Sequence, residues 1–168
     1  SENEKNDIYH QFKKDLNIVS PQFNFENKDT WTIENTPIMF GKGMAVFNGF
    51  GQSDFMWKLR LNQNIKSIFE KIHNTNNLVT SFDGFSLYVS DKQKSKSWLH
   101  IDQNPNNKLY SVQGQYNFFP VTEKDSGFVV IPKSHKKFKH KSNNIKDWYM
   151  LKEEDFNNLQ DPVKLLIP

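Results

Sequence analysis

The chain has 168 residues, carries 22 lysines and arginines against 19 aspartates and glutamates, and contains no cysteine. Such a length suits one domain with a sizeable core, the net charge of +3 is too small to argue for nucleic acid, and the lack of cysteine excludes disulfides and cysteine-based zinc sites. No run approaches the roughly 18 apolar residues of a membrane span, and Ser1 to Asp7 lack the apolar core of a secretion signal, so a soluble, cytoplasmic protein without nucleic-acid or membrane partners is expected.

Ile8, Phe12, Leu16 and Val19 recur at helical spacing, and Ser20-Pro21 supplies a stop, which predicts a short amphipathic helix over 8–19. The stretch from Phe23 to Phe50 is rich in aromatics and broken by Pro37, Gly41, Gly43 and Gly49, as expected of loops and short strands that line a cleft. From Ser53 to Asn74 the apolar residues Phe55, Met56, Leu59, Leu61, Ile65, Ile68, Phe69 and Ile72 predict one continuous helix, with Ser53 or Asp54 as its N-cap. Leu78 to Phe82 and Phe85 to Val89 read as strands joined or bulged at Asp83-Gly84. A polar connection over 92–97 and a turn at 104–107 flank Trp98-Leu99-His100-Ile101-Asp102-Gln103. Val112 to Phe119 alternates, with Gln113, Gln115 and Asn117 on one face and Val112, Gly114, Tyr116 and Phe118 on the other. Phe128 to Ile131 has the composition of a strand buried on both faces; a weak helix is expected over 153–159, and Val163 to Ile167 reads as the start of another element. The basic stretch Lys133, Lys136, Lys137, Lys139 and Lys141 is expected to be a solvated loop or strand end.

Within the predicted strand over 98–103, His100 and Asp102 leave the same face, about 6–7 Å apart at their Cα atoms. An imidazole and a carboxylate so placed can share one metal ion, and a second histidine would complete the two-histidine, one-carboxylate set of non-heme Fe(II) oxygenases. A lone His-x-Asp triplet also occurs as an ordinary surface pair.

Several blocks taken in order resemble the phytanoyl-CoA dioxygenase family of Fe(II)/2-oxoglutarate oxygenases, in particular its microbial and viral branches. They are Met56-Trp57-Lys58-Leu59-Arg60, Ser81-Phe82-Asp83-Gly84-Phe85, the His100-Ile101-Asp102 strand, Val112-Gln113-Gly114, and Asp125-Ser126-Gly127-Phe128-Val129-Val130-Ile131-Pro132-Lys133-Ser134-His135-Lys136. The last is similar to the family segment Gly-Gly-Leu-x-x-x-Pro-Gly-Ser-His. The resemblance covers about 53–167 and implies a mainly β fold with flanking helices, a double-stranded β-helix or jelly-roll. One domain would then comprise a helix and cleft-lining loops over 1–52, a helix over 53–74 and jelly-roll strands over 78–168. It further implies that His100 and Asp102 are two of three Fe(II) ligands. Gln115, with Gln113 and Asn117 on the same face, would meet 2-oxoglutarate, and Asp83 and Tyr88 would reach the substrate, a small molecule or a side chain.

The family's third ligand, a later histidine, and the arginine that holds the distal carboxylate of 2-oxoglutarate have no counterpart in these 168 residues. His135 lies in a block whose histidine is not a ligand in the family, His140 follows it, and Arg60, the chain's single arginine, precedes the site. An incomplete jelly-roll is therefore expected, the sequence being a piece of a longer chain, a natural truncation, or one whose missing strands a second chain supplies. The rival expectations are a catalytically inactive jelly-roll that binds or scaffolds with a vestigial His-x-Asp pair, and a cupin-like zinc protein, for which two ligands are poor provision.

Overall fold

A computed structural model describes residues 1–40, 43–89, 98–104, 110–137 and 148–168. The polar connection over 92–97, most of the turn over 104–107, and Lys139, His140 and Lys141 lie outside the described residues. The chain divides into two compact units, Ser1–Lys94 and Ser95–Pro168.

In the first unit the helix α1 runs over Glu2–Val19, six residues earlier than the apolar spacing predicts. Its start is set by a capping box, in which the Ser1 hydroxyl accepts from the Glu4 amide and the Glu4 carboxylate reaches back. Ile8, Phe12 and Leu16 are buried along one face, and the Ser20 amide closes the helix on the Leu16 carbonyl. Two short 3-10 turns, Lys28–Thr30 and Ile33–Asn35, lead to the strand β1 (Met44–Ala45), and a third, Phe50–Gln52, leads to α2 (Asp54–Leu61).

The single helix expected over 53–74 is instead two, α2 and α3 (Gln63–His73). Asn62 takes an extended conformation, φ −62° and ψ 123°, and its side-chain oxygen accepts from the amides of Asn64 and Ile65, so it caps α3 where the apolar spacing alone continues unbroken. Ser53 stands at the N-cap of α2 without bonding the helix through its side chain; its hydroxyl donates to the Phe50 carbonyl. The cap comes from α1, where buried Asp15 accepts from the Phe55 amide at 2.8 Å. A carboxylate there also meets the positive end of the helix dipole. Around this junction Phe12, Phe50, Phe55 and Phe85 meet edge to face, with centroids 4.8 to 5.6 Å apart. Phe85 arrives on β2 (Phe85–Ser86), which pairs antiparallel with β1. At Gly84, just before β2, a Cβ would overlap the Ala45 carbonyl.

The second unit contains β3 (His100–Ile101), β4 (Val129–Val130), the short helix α4 (Ser134–Lys137), β5 (Tyr149–Met150), a 3-10 segment over Glu153–Asn158 and β6 (Val163–Lys164). Antiparallel pairing joins β3 to β5, with His100 opposite Met150, and β4 to β6, with Val130 opposite Val163. A bridge between Val121 and Ile167 extends the second ladder, and Val121 and Ile131 are buried beside it. The Lys164 ammonium ties the 122–127 turn to β6 by donating to the carbonyls of Thr122, Glu123 and Asp125.

These elements correct the expected mainly β jelly-roll. Among the described residues the sheets are three two-stranded ladders, β1-β2, β3-β5 and β4-β6, and helix exceeds strand. An extended segment becomes a strand only where a neighbour takes up its backbone groups. Over Leu78 to Phe82 the side chains bond locally instead: Thr80 donates to the Ser81 carbonyl and Ser81 to the Asp83 carboxylate. The alternating stretch Val112 to Phe119 joins no ladder, and Gln113 and Gln115 are exposed.

Candidate metal centre

His100 in β3 and Asp102 just after it converge: His100 Nε2 lies 3.3 Å from Asp102 Oδ1. On the ring's other edge, Nδ1 lies 2.8 Å from the Trp98 carbonyl. A carbonyl only accepts, so Nδ1 carries the proton, and in the neutral ring Nε2 then points a lone pair at the carboxylate. Two acceptors that face each other invite a positive charge between them, either an imidazolium proton or a metal cation. The arrangement matches the usual metal-site design, in which the non-ligating histidine nitrogen is fixed by a carbonyl.

Three further groups hold the pair. The Trp98 indole stacks on the imidazole at 4.4 Å and 21°, and the Trp148 indole lies 5.7 Å away at 33°. Trp148 immediately precedes β5, so the β3-β5 ladder carries it to the ring. Gln113 donates from Nε2 to Asp102 Oδ2 at 2.8 Å, which occupies the carboxylate oxygen turned away from the histidine. The His100 side chain is 25% exposed and that of Asp102 44%, so an ion can reach the donors from solvent.

Ligands bound at about 2.0–2.2 Å and at right angles on one ion are about 3 Å apart, close to the observed 3.3 Å. The spacing of the two groups matches one shared divalent cation and equally a direct imidazolium–carboxylate ion pair. The fit is partial, since no group of three or more histidines, cysteines or acidic residues is assembled among the described residues, and exposed His135 joins none.

The remaining sequence-predicted residues have contacts of their own. Gln115 donates to Asn117 at 2.9 Å, so two of the three amides expected to meet 2-oxoglutarate pair with each other and the third, Gln113, bonds Asp102. Asp83 and Tyr88 belong to the first unit. There Asp83 accepts from Ser81, and burial raises the Tyr88 phenol above its ordinary pKa. Arg60 is in the same unit, its guanidinium 5.2 Å from the Trp57 ring and 5.3 Å from Phe82, with Nη1 donating to the Gly51 carbonyl at 2.6 Å. That unit also has a surface groove of about 490 Å³ bordered by Asp7, Ile8, Trp57, Lys58 and Leu61. An ion pair between Lys58 and Asp7, 2.5 Å long, runs along it.

The chain is similar to Ava biosynthesis cluster protein O of Aspergillus versicolor, at 33% identity over 122 residues, which cover 70% of this chain and 39% of that protein. It thus spans about two-fifths of the relative's length. No family model and no solved structure matches the chain. No helix among the described residues is long and apolar enough to cross a membrane.

Sequence reasoning missed the roles of Trp98, Trp148 and the Asp102-directed amide of Gln113. The nearness of Trp98 was readable, since it lies two residues before His100 on one strand face. Trp148 had no local signal, because its place depends on the pairing of β3 with β5.

Proposed function

We propose that this chain carries the His100–Asp102 part of the Fe(II) site of a 2-oxoglutarate-dependent oxygenase of the phytanoyl-CoA dioxygenase type. The observation that carries this reading is the pair of converging groups, His100 Nε2 3.3 Å from Asp102 Oδ1, with the outer edge of each already bonded. When bound, Fe(II) with 2-oxoglutarate and O₂ supplies the oxidising power for substrate hydroxylation, with succinate and CO₂ as coproducts. The chain's own residues bind and orient. The Trp98 carbonyl keeps the proton on Nδ1, the two indoles fix the ring plane, and Asp102 contributes the negative charge that favours a divalent ion. The third ligand and the cationic partner for 2-oxoglutarate would come from outside the described residues. Similarity to a protein of a biosynthesis cluster directs the substrate search to small molecules.

The test is iron- and O₂-dependent release of succinate from 2-oxoglutarate by the full-length protein. Turnover that disappears in His100→Ala and Asp102→Ala supports the reading; no turnover, together with Fe(II) affinity unchanged in His100→Ala, refutes it. The lack of a third ligand among the described residues favours a second reading, a non-catalytic binding protein that keeps a two-donor site. It predicts weak metal binding and no succinate.

A further inference from the structure

Between buried Ala45 of β1 and buried Phe50, the chain turns at Phe47-Asn48-Gly49-Phe50. The Phe50 amide donates to the Phe47 carbonyl at 3.3 Å, and both central residues have positive φ, 58° at Asn48 and 73° at Gly49, which makes a type I′ turn. Asparagine and glycine suit this turn, because asparagine tolerates the left-handed region and glycine meets no Cβ clash there. The same pair is the chain's one Asn-Gly step. It is chemically reactive, since glycine leaves its backbone amide unshielded beside the asparagine side chain. Both residues are exposed, and a Cβ on Gly49 would meet nothing within 4 Å beyond its chain neighbours. Neither the Asn48 side chain nor the Gly49 N–H has a hydrogen-bond partner among the described residues.

We propose that Asn48 is a site of spontaneous deamidation that ends largely in isoaspartate, and that the fold registers the change through Phe50. The Gly49 amide nitrogen, its proton lost to solvent base, attacks Asn48 Cγ; a C–N bond forms, the Cγ–Nδ2 bond breaks, and Nδ2 leaves as ammonia with a proton from water. The resulting succinimide takes up water at either carbonyl and opens to aspartate or isoaspartate at position 48, with no change of oxidation state. Isoaspartate carries the main chain through its former side chain and lengthens it by a methylene. Phe50 follows two residues later, 2% exposed and edge to face with Phe85 at 4.8 Å, in packing that leaves it no room to shift. Asp83-Gly84 provides the internal contrast. It can form the same ring by loss of water, but a Cβ at Gly84 would overlap the Ala45 carbonyl and the Asp83 carboxylate accepts from Ser81, so that step is held where Asn48-Gly49 is open.

The experiment ages the full chain at mildly alkaline pH, folded and in urea, and reads its tryptic fragments by mass spectrometry. The fragment Gly43–Lys58 has Asn48 as its single asparagine. In the folded chain it should gain the mass of amide-to-acid exchange at a rate of the same order as in urea. It should split into two products, one of which accepts a methyl group from S-adenosylmethionine through an isoaspartyl methyltransferase. The fragment Ile72–Lys92, which holds Asp83, should accept methyl after ageing in urea and not after ageing folded. Aged folded protein should contain a population that unfolds at lower urea, whereas Asn48→Asp, which adds the charge without lengthening the main chain, should keep the wild-type midpoint. Asn48 left unconverted in the folded chain while the urea sample converts would overturn the proposal. Aged, isoaspartate-containing protein with the wild-type midpoint would also overturn it, because Phe50 would then be unaffected by the longer backbone.

Discussion

Replacing Asp15 tests how the first unit is held together. The Asp15 side chain spans α1 and α2: Oδ2 accepts from the Phe55 amide at 2.8 Å and Oδ1 from Gln11 Nε2 at 2.8 Å. The residue is 8% exposed and Phe55 1% exposed, so Asp15→Ala leaves an α2 amide buried without its acceptor. A hydrogen bond to a charged group contributes about 1.5–3 kcal/mol, and a carboxylate at a partly buried helix N-terminus contributes up to about 2 kcal/mol by the dipole. Because one contact provides both, the expected loss is about 2–3 kcal/mol rather than their sum. Asp15→Asn keeps an oxygen acceptor but loses the charge, and should cost about 1 kcal/mol. Asp7→Ala is the control: it removes a carboxylate from the same helix whose side chain is 63% exposed and pairs with Lys58 at the surface, where such pairs contribute about 0–1 kcal/mol. Urea unfolding followed at 222 nm reads mainly this unit, since α1, α2 and α3 all lie within it. With a urea slope of about 1–3 kcal/mol per molar, Asp15→Ala should lower the midpoint by about 1 M. Equal small shifts for Asp15→Ala and Asp7→Ala would refute the assignment of Asp15 as the cap.

Lys133 adopts φ +62° and is exposed, at the position where the resembled family segment Pro-Gly-Ser-His has glycine; Lys133→Gly should therefore stabilise the second unit by about 1 kcal/mol, because glycine enters the left-handed region without a Cβ clash. Unfolding followed by fluorescence of Trp98 and Trp148 checks this, and a destabilised variant would contradict it. Burial, reinforced by its bond to Asp155, pushes the Tyr149 phenol up to about 12. A raised folded-state pKa means that the contribution is complete below the unfolded value of about 10 and is lost as pH rises through about 12. Absorbance at 295 nm should show a last tyrosine ionising near 12 in wild type and not in Tyr149→Phe; identical titrations would refute it.

Legibility in the sequence followed the range of the interaction. Phe12 and Leu16 mark α1 because helix neighbours are close in sequence, and His100 and Asp102, two residues apart, meet across the end of β3. The break at Asn62 was hidden, since Leu59, Leu61 and Ile65 continue the helical spacing across a residue whose side chain caps the next helix. The jelly-roll expectation failed for a related reason. Val112 to Phe119 and Leu78 to Phe82 have β composition, but composition does not name a partner strand, and the ladder that does form from Phe128 to Ile131 pairs with Val163 and Lys164. Asp15 over α2, Trp148 on His100 and Gln113 on Asp102 are all contacts between distant or irregular segments, which no local pattern announces.

The most direct test of the central claim is an anaerobic titration of the full-length protein with Fe(II), followed by tryptophan fluorescence. Trp98 stacks 4.4 Å from His100, so an ion held by Nε2 should quench it. The account predicts saturable quenching at one equivalent, abolished in His100→Ala and in Asp102→Ala. Quenching that is absent, or that persists unchanged in both variants, would contradict it.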